Sequence, residues 1–208
     1  MTSDKRIMHR AHPWHGLSIG DEAPNLINVY IEMSSTDTIK FELDKETGLL
    51  KVDRPQKYSS LCPTLYGFIP QTYSGDLTAE YCMEKTGFKN IIGDSDPVDI
   101  AVLTEKTIPR GDIQLRAVPI GGFRMIDGNE ADDKIIAVLV DDLAYGDIRD
   151  ISDCHKQLIE RLRHYFLTYK DCPGETESRV KITHTFNAKE ARHLIELGRM
   201  DYNNKFFN

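Results

Sequence analysis

Three carboxylates fall within six residues in the run Gly93-Asp94-Ser95-Asp96-Pro97-Val98-Asp99-Ile100. Held close together, such groups repel unless solvent separates them or cations join them. Hard divalent cations take oxygen ligands, and magnesium uses only a few protein carboxylates while keeping several waters. Asp94, Asp96 and Asp99 could therefore form the protein side of a magnesium cluster, with Pro97 restricting the turn between them. A solvated surface loop accounts for this segment alone as well as a metal site does. A second acidic group shifts the balance: Asp127, then Asp132 and Asp133, followed at once by Lys134. Anions and a lysine at the entrance of the apolar run 135–140 could meet the first cluster across the mouth of a fold.

Other motif readings fit less well. A calcium-binding helix-loop-helix would begin at Asp94 and end at Glu105, but Val98 and Asp99 stand where an oxygen ligand and a glycine are needed. No G-x-x-x-x-G-K-[ST] run occurs, which argues against nucleotide hydrolysis by that phosphate loop. Cys62, Cys82, Cys154 and Cys172 lack the close pair of a zinc ribbon and read as reduced thiols of a cytosolic protein. His12, His15, His155, His164, His184 and His193 show no ligand spacing and read as surface or packing residues.

The elements that must position the acidic groups are read from periodicity. Alternating runs predict strands at 27–33, 39–43 and 49–54, the last two joined as a hairpin by the polar turn Asp44-Lys45-Glu46-Thr47-Gly48. On the middle strand Lys40 and Glu42 share the face opposite Ile39, Phe41 and Leu43, so a cation and an anion stand side by side. A short strand is expected at 64–69, and 74–89 reads as an excursion or small hairpin. Strands follow at 98–103, 113–118 and 135–140. Helices are expected from just after Asp150 to about Tyr169, stopping near Pro173-Gly174, and after Asn187, which has Glu190 in capping-box relation. Ala191, Leu194, Ile195 and Gly198 then line one side of the second helix. Strands first and helices last predict a small barrel or curled sheet with helices outside, not repeated strand-helix-strand units.

Size and charge bound the function. A chain of 208 residues, 40% of them apolar, can bury one substantial core. Its 26 basic and 33 acidic residues give a formal charge of -7, which opposes nonspecific nucleic-acid binding. A polyanionic substrate would need local basic groups or metal ions. The start, with His9, His12, Pro13, Trp14 and His15, has no apolar core suited to a secretory signal. No stretch approaches the roughly 20 apolar residues that span a bilayer. The expectation is a cytoplasmic protein without a membrane partner.

The run Asp94-Ser95-Asp96-Pro97-Val98-Asp99 matches the D-x-D-P-x-D signature of the soluble family I inorganic pyrophosphatases, and the chain resembles that family closely. Ile31-Glu32-Met33, Ile39-Lys40-Phe41-Glu42-Leu43, Val52-Asp53-Arg54, Tyr66-Gly67, the segment 127–134 and Tyr169-Lys170 join it in the family's order, from about Leu26 to the final helix. The resemblance implies a mainly β fold with flanking α helices, built on a small, distorted, five-stranded closed barrel that is OB-like. It implies one pyrophosphatase domain over 1–208, with an inserted excursion at 74–93. Asp94, Asp99 and Asp132 would hold a central metal, Asp127 and Asp132 a further cation, and Glu42 a cation entering with substrate. Glu32 would act at the cleft through water, and Asp96 would orient or deprotonate the attacking water. Lys40, Arg54, Tyr66, Lys134, Tyr169 and Lys170 would bind the two phosphoryl ends of inorganic diphosphate, with Arg54, Tyr169 and Lys170 stabilising the departing phosphate. Magnesium is the implied cofactor, and the reaction is hydrolysis to two orthophosphates by a metal-activated water.

Two departures stand out. Cys62 replaces a tyrosine common in the family, altering a phosphate contact unless Tyr58 or another residue reaches the site. The 74–93 path is longer than in the short bacterial form. Bacterial relatives look hexameric and eukaryotic ones dimeric; the compact length places the expectation on a homo-oligomer of hexameric order. Two alternatives stay open: a broader phosphoanhydride or phosphomonoester hydrolase, and a non-enzymatic OB-like barrel binding oligosaccharide or nucleic acid. The latter lacks a basic track interleaved with aromatics.

Overall fold

The computed structural model describes residues 10–172, 174 and 178–207. His9 and Pro173 lie outside these residues. Among them the chain forms β1 (Ile27–Met33), β2 (Ile39–Leu43), β3 (Leu50–Pro55), β4 (Leu65–Phe68), α1 (Asp76–Thr86), β5 (Ile92–Gly93), β6 (Asp99–Leu103), β7 (Ile113–Asp127), β8 (Glu130–Ala131) and β9 (Lys134–Leu139). A 3-10 turn (Ile151–Asp153), α2 (Lys156–Thr168), β10 (Val180–Asn187) and α3 (Ala188–Phe206) complete it.

Five strands pair in a ring: β1 with β4, β4 with β6, β6 with β9, β9 with β7, and β7 back to β1. β2 and β3 form a separate antiparallel hairpin, as the turn at 44–48 predicts. Residues of β6 and β9 alternate between two core clusters. Ile100, Val102, Ile135 and Ala137 pack with Ala191, Leu194 and Ile195 of α3. Ala101, Leu103, Ile136 and Val138 pack with Leu162 and Phe166 of α2. Because these strands are covered on both faces, they read as unbroken apolar runs. Among the described residues no helix is long and apolar enough to cross a membrane.

The class expected as mainly β with flanking helices is, more coarsely, a mixed α/β fold: helices of 11, 13 and 19 residues accompany the ring of five strands. The stretch expected as an excursion or hairpin at 74–89 carries α1 instead. Its buried face is only Thr78, Ala79 and Cys82, too small and polar to read as an apolar stripe. β7 runs well past the expected 113–118. Pro119, Gly121 and Gly122 punctuate it at a register shift, beyond which it turns from β1 to pair with β10. The helix expected from Asp150 is broken: Asp150 caps the 3-10 turn, and α2 starts anew where His155 Nδ1 accepts the Gln157 N–H at 3.3 Å. The predicted Asn187 cap is present, its side chain accepting the Glu190 N–H at 3.0 Å.

Candidate active site

The cleft forms where β6 and β9 begin. The two strands are parallel with Asp99 opposite Lys134, so the loops preceding them open on the same edge of the ring. That pairing brings the two acidic segments together. Lys134, whose side chain is 1% exposed, pairs through Nζ with both Asp99 Oδ2 and Asp132 Oδ1. Tyr66 on β4, the other neighbour of β6, donates its hydroxyl to Asp99 Oδ2 at 2.6 Å. Asp127 ends β7, and the tight turn into β8 returns the chain to Asp132. Lys170, just past α2, reaches back to Asp127.

The facing wall is the β2–β3 hairpin, in which Lys40 lies opposite Arg54. Lys40 Nζ donates to Asp53 Oδ2 at 3.0 Å and pairs with Glu42, while Arg54 pairs with the same Asp53 oxygen. Glu32 on β1 fixes the hairpin by accepting the Leu43 N–H at 2.7 Å. One cavity of about 580 Å³ is lined by Glu32, Lys40, Glu42, Arg54, Tyr66, Asp94, Asp96, Asp99, Asp127, Asp132, Lys134, Tyr169 and Lys170, whereas Asp133 of the second acidic group turns away from it to pair with Arg124.

Burial and crowding of like charges set the electrostatics. Burial pushes Glu32 up to about 8, against the Leu43 N–H that favours its anion, and the Asp99 charge adds to the rise. Burial, then the charges of Asp132 and Asp99, also raise Asp94. Asp132 is raised by burial although Lys134 opposes it. Burial works against the Lys134 cation, but Asp132 and Asp99 outweigh it and hold the ammonium charged. The Tyr169 hydroxyl is raised by burial, with Lys134 opposing.

The donor set suits a hard divalent cation. Among the described residues no three His, Cys, Asp or Glu side chains converge as a preformed cage. The carboxylates instead gather around the Lys134 ammonium, a cation standing among oxygen donors, and the raised Asp94 and Asp132 mark negative charge that further cations would relieve.

Several neighbours were not singled out. Lys45 in the hairpin turn pairs with Asp96; its position in a polar turn gave no sign that the turn folds over the cleft. Arg179 reaches Asp127 Oδ1 at 2.6 Å from just before β10, a strand that was not anticipated. Asp53 stood in the Val52-Asp53-Arg54 match and ties Lys40 to Arg54. Cys62 is 1% exposed in the core beside Tyr165, and Tyr58 does not line the cavity, so it does not restore the missing tyrosine hydroxyl.

A family model described as Inorganic pyrophosphatase matches residues 29–203. The chain is 52% identical over 200 residues to an inorganic pyrophosphatase of Chlamydia trachomatis, covering 94% of this chain and 96% of that protein. It is 41% identical over 170 residues to a soluble inorganic pyrophosphatase of Solanum tuberosum, covering 82% and 72%. Among solved structures it is similar to the inorganic pyrophosphatase of Thermus thermophilus, with a TM-score of 0.77, 26% identity and coverage of 93% and 99%. The enzyme of Helicobacter pylori gives a TM-score of 0.73, 31% identity and coverage of 90% and 98%.

Proposed function

The chain belongs to the inorganic pyrophosphatase family, and on that premise we propose that this cleft hydrolyses inorganic diphosphate to two orthophosphates by direct attack of water. One observation carries the reading: the parallel β6–β9 pairing joins two aspartate-rich segments in a single cavity rimmed by Lys40, Arg54, Lys134 and Lys170. Magnesium ions held by Asp94, Asp99, Asp127, Asp132 and Glu42, with Glu32 acting through water, would neutralise phosphoryl oxygens and acidify water.

The chain's own residues divide the remaining work. Lys40 and Lys134 bind the phosphoryl group under attack, while Arg54, Tyr169 and Lys170 hold the departing phosphate and offset its growing charge. Tyr66 orients Asp99. Asp96 stands at the open edge of its loop, paired with Lys45, where its carboxylate accepts the proton of the attacking water. The five-strand ring supports reading the sheet as a small, distorted OB-like barrel, within one domain that carries an insertion at 74–93. On the same reading the protein works in the cytoplasm as a homo-oligomer of hexameric order, which sedimentation would test.

Phosphate release is to be compared for diphosphate, a nucleoside triphosphate and a simple phosphomonoester, each with magnesium. Release dominated by diphosphate is expected; comparable release from the phosphomonoester contradicts the narrow assignment.

A further inference from the structure

Beside the β6–β9 pairing, one serine adds a further tie between the two acidic segments. Ser74, 6% exposed, precedes α1. Its N–H donates to Asp96 O at 2.7 Å, and its carbonyl accepts the Ser95 N–H at 3.1 Å. Its hydroxyl donates to Ala131 O at 3.2 Å, one residue before Asp132, and Ser74 lines with Asp94 a small pocket beside the cleft. Thr72 extends the clamp, its hydroxyl accepting the Val98 N–H at 2.9 Å. A residue that does not itself line the large cavity thus bridges the segments that carry Asp94 and Asp132.

Ser74 is held in turn by Asp201 on α3. The N-cap of α1 is Gly75, which has no side chain for the unpaired N–H groups of the first turn. The Asp201 carboxylate, 4% exposed as a residue, supplies the acceptors. It accepts the N–H groups of Gly75, Leu77 and Thr78 at 3.1, 3.0 and 3.0 Å and the Thr78 hydroxyl at 3.1 Å. An anion at a helix N-terminus is also favoured by the helix dipole. The segment then closes on its own start. A Cβ at Gly93 would stand 2.2 Å from Ser74 O and 2.7 Å from Gly75 N, so only glycine lets the chain re-enter there, immediately before Asp94.

The geometry points to Ser74 as a positioning residue that holds the two acidic segments at the separation a divalent cation needs, with Asp201 fixing Ser74 through the start of α1. This rests on the diphosphatase reading of the cleft. Outer-shell groups that orient metal ligands act on metal affinity, and their mutation costs about 10–100-fold.

The test is calorimetric titration of magnesium into the full-length, substrate-free protein, for wild type, Ser74→Ala, Ser74→Thr and Asp201→Asn. Ser74→Ala is expected to bind magnesium about 10-fold more weakly, Ser74→Thr to stay close to wild type because it keeps the hydroxyl, and Asp201→Asn to fall between them. Turnover of Ser74→Ala should recover at saturating magnesium with an unchanged KM for diphosphate. Equal magnesium affinity in Ser74→Ala and wild type overturns the assignment, as does a loss of kcat that persists at saturating magnesium. Wild-type phosphate release is measured in the same preparation. Its absence overturns the functional reading itself, whereas the calorimetric comparison still decides the role of Ser74.

Discussion

Tyr66 donates its hydroxyl at 2.6 Å to the same Asp99 oxygen that Lys134 reaches from the strand on the other side. β6 lies between β4 and β9, so its first residue is gripped from both neighbours. Hydrogen bonds to charged groups contribute about 1.5–3 kcal/mol. Tyr66→Phe should therefore lower kcat/KM by about 10–100-fold. Its ring stays packed against Phe166, so stability should fall by no more than the lost hydrogen bond, about 1.5–3 kcal/mol. Steady-state kinetics beside a melting curve check both halves.

Asp96 occupies a different kind of position, on the open side of its loop with Lys45 as its ion-pair partner. If it takes the proton of the attacking water, Asp96→Asn should lose about 10²–10⁴ in kcat while still binding magnesium and folding. A folded, metal-binding variant with near-normal turnover across pH would remove Asp96 from that role.

Arg124 is the most demanding buried charge in the scaffold. Its side chain is 0% exposed, pairs with Asp133 and reaches Glu190 Oε1 at 2.9 Å, so it ties β7 to the entrance of β9 and to α3. Its guanidinium also lies 4.9 Å from the ring centre of Tyr81 and 5.2 Å from that of Phe186. Arg124→Met leaves Asp133 buried without its cation, and removing one partner of such a pair costs about 3–5 kcal/mol. Denaturant unfolding of the variant measures this directly.

Asp150 serves two helical starts with one carboxylate, accepting the Ser152 N–H at 3.0 Å and the Ala188 N–H at 2.9 Å. Burial opposes its ionisation, but these N–H groups outweigh it and hold the carboxyl below its ordinary value. A carboxylate depressed in the folded state stabilises the fold fully above its unfolded pKa, and that contribution is lost as pH falls through the folded value. Asp150→Ala should cost about 0.5–2 kcal/mol at neutral pH. The gap between variant and wild type should narrow in urea melts carried below the usual carboxylate range.

What the sequence made legible was what local chemistry decides. β1 and β2 appear at their expected bounds because their alternation is unbroken, and α3 starts where Asn187 and Glu190 place it. The candidate site was legible because side-chain types and short spacings mark Asp94, Asp96 and Asp99, and because the matched segments add the rest. Features that depend on distant partners were hidden. α1 has a small, polar buried face, and its cap comes from Asp201. The second half of β7 is masked by Pro119, Gly121 and Gly122. β10 pairs with that same half of β7, so its place in the sheet shows only in the fold. Lys45, Ser74 and Arg179 acquire their importance only once the chain closes over the cleft.

Catalysis depends on an acidic cavity that accepts an anion once cations fill it. Phosphate release from diphosphate, followed as magnesium is removed by chelation and then restored, tests this most directly. Turnover should vanish without magnesium and return on its addition, with the fold intact throughout. Undiminished release in the chelated, folded protein would contradict it.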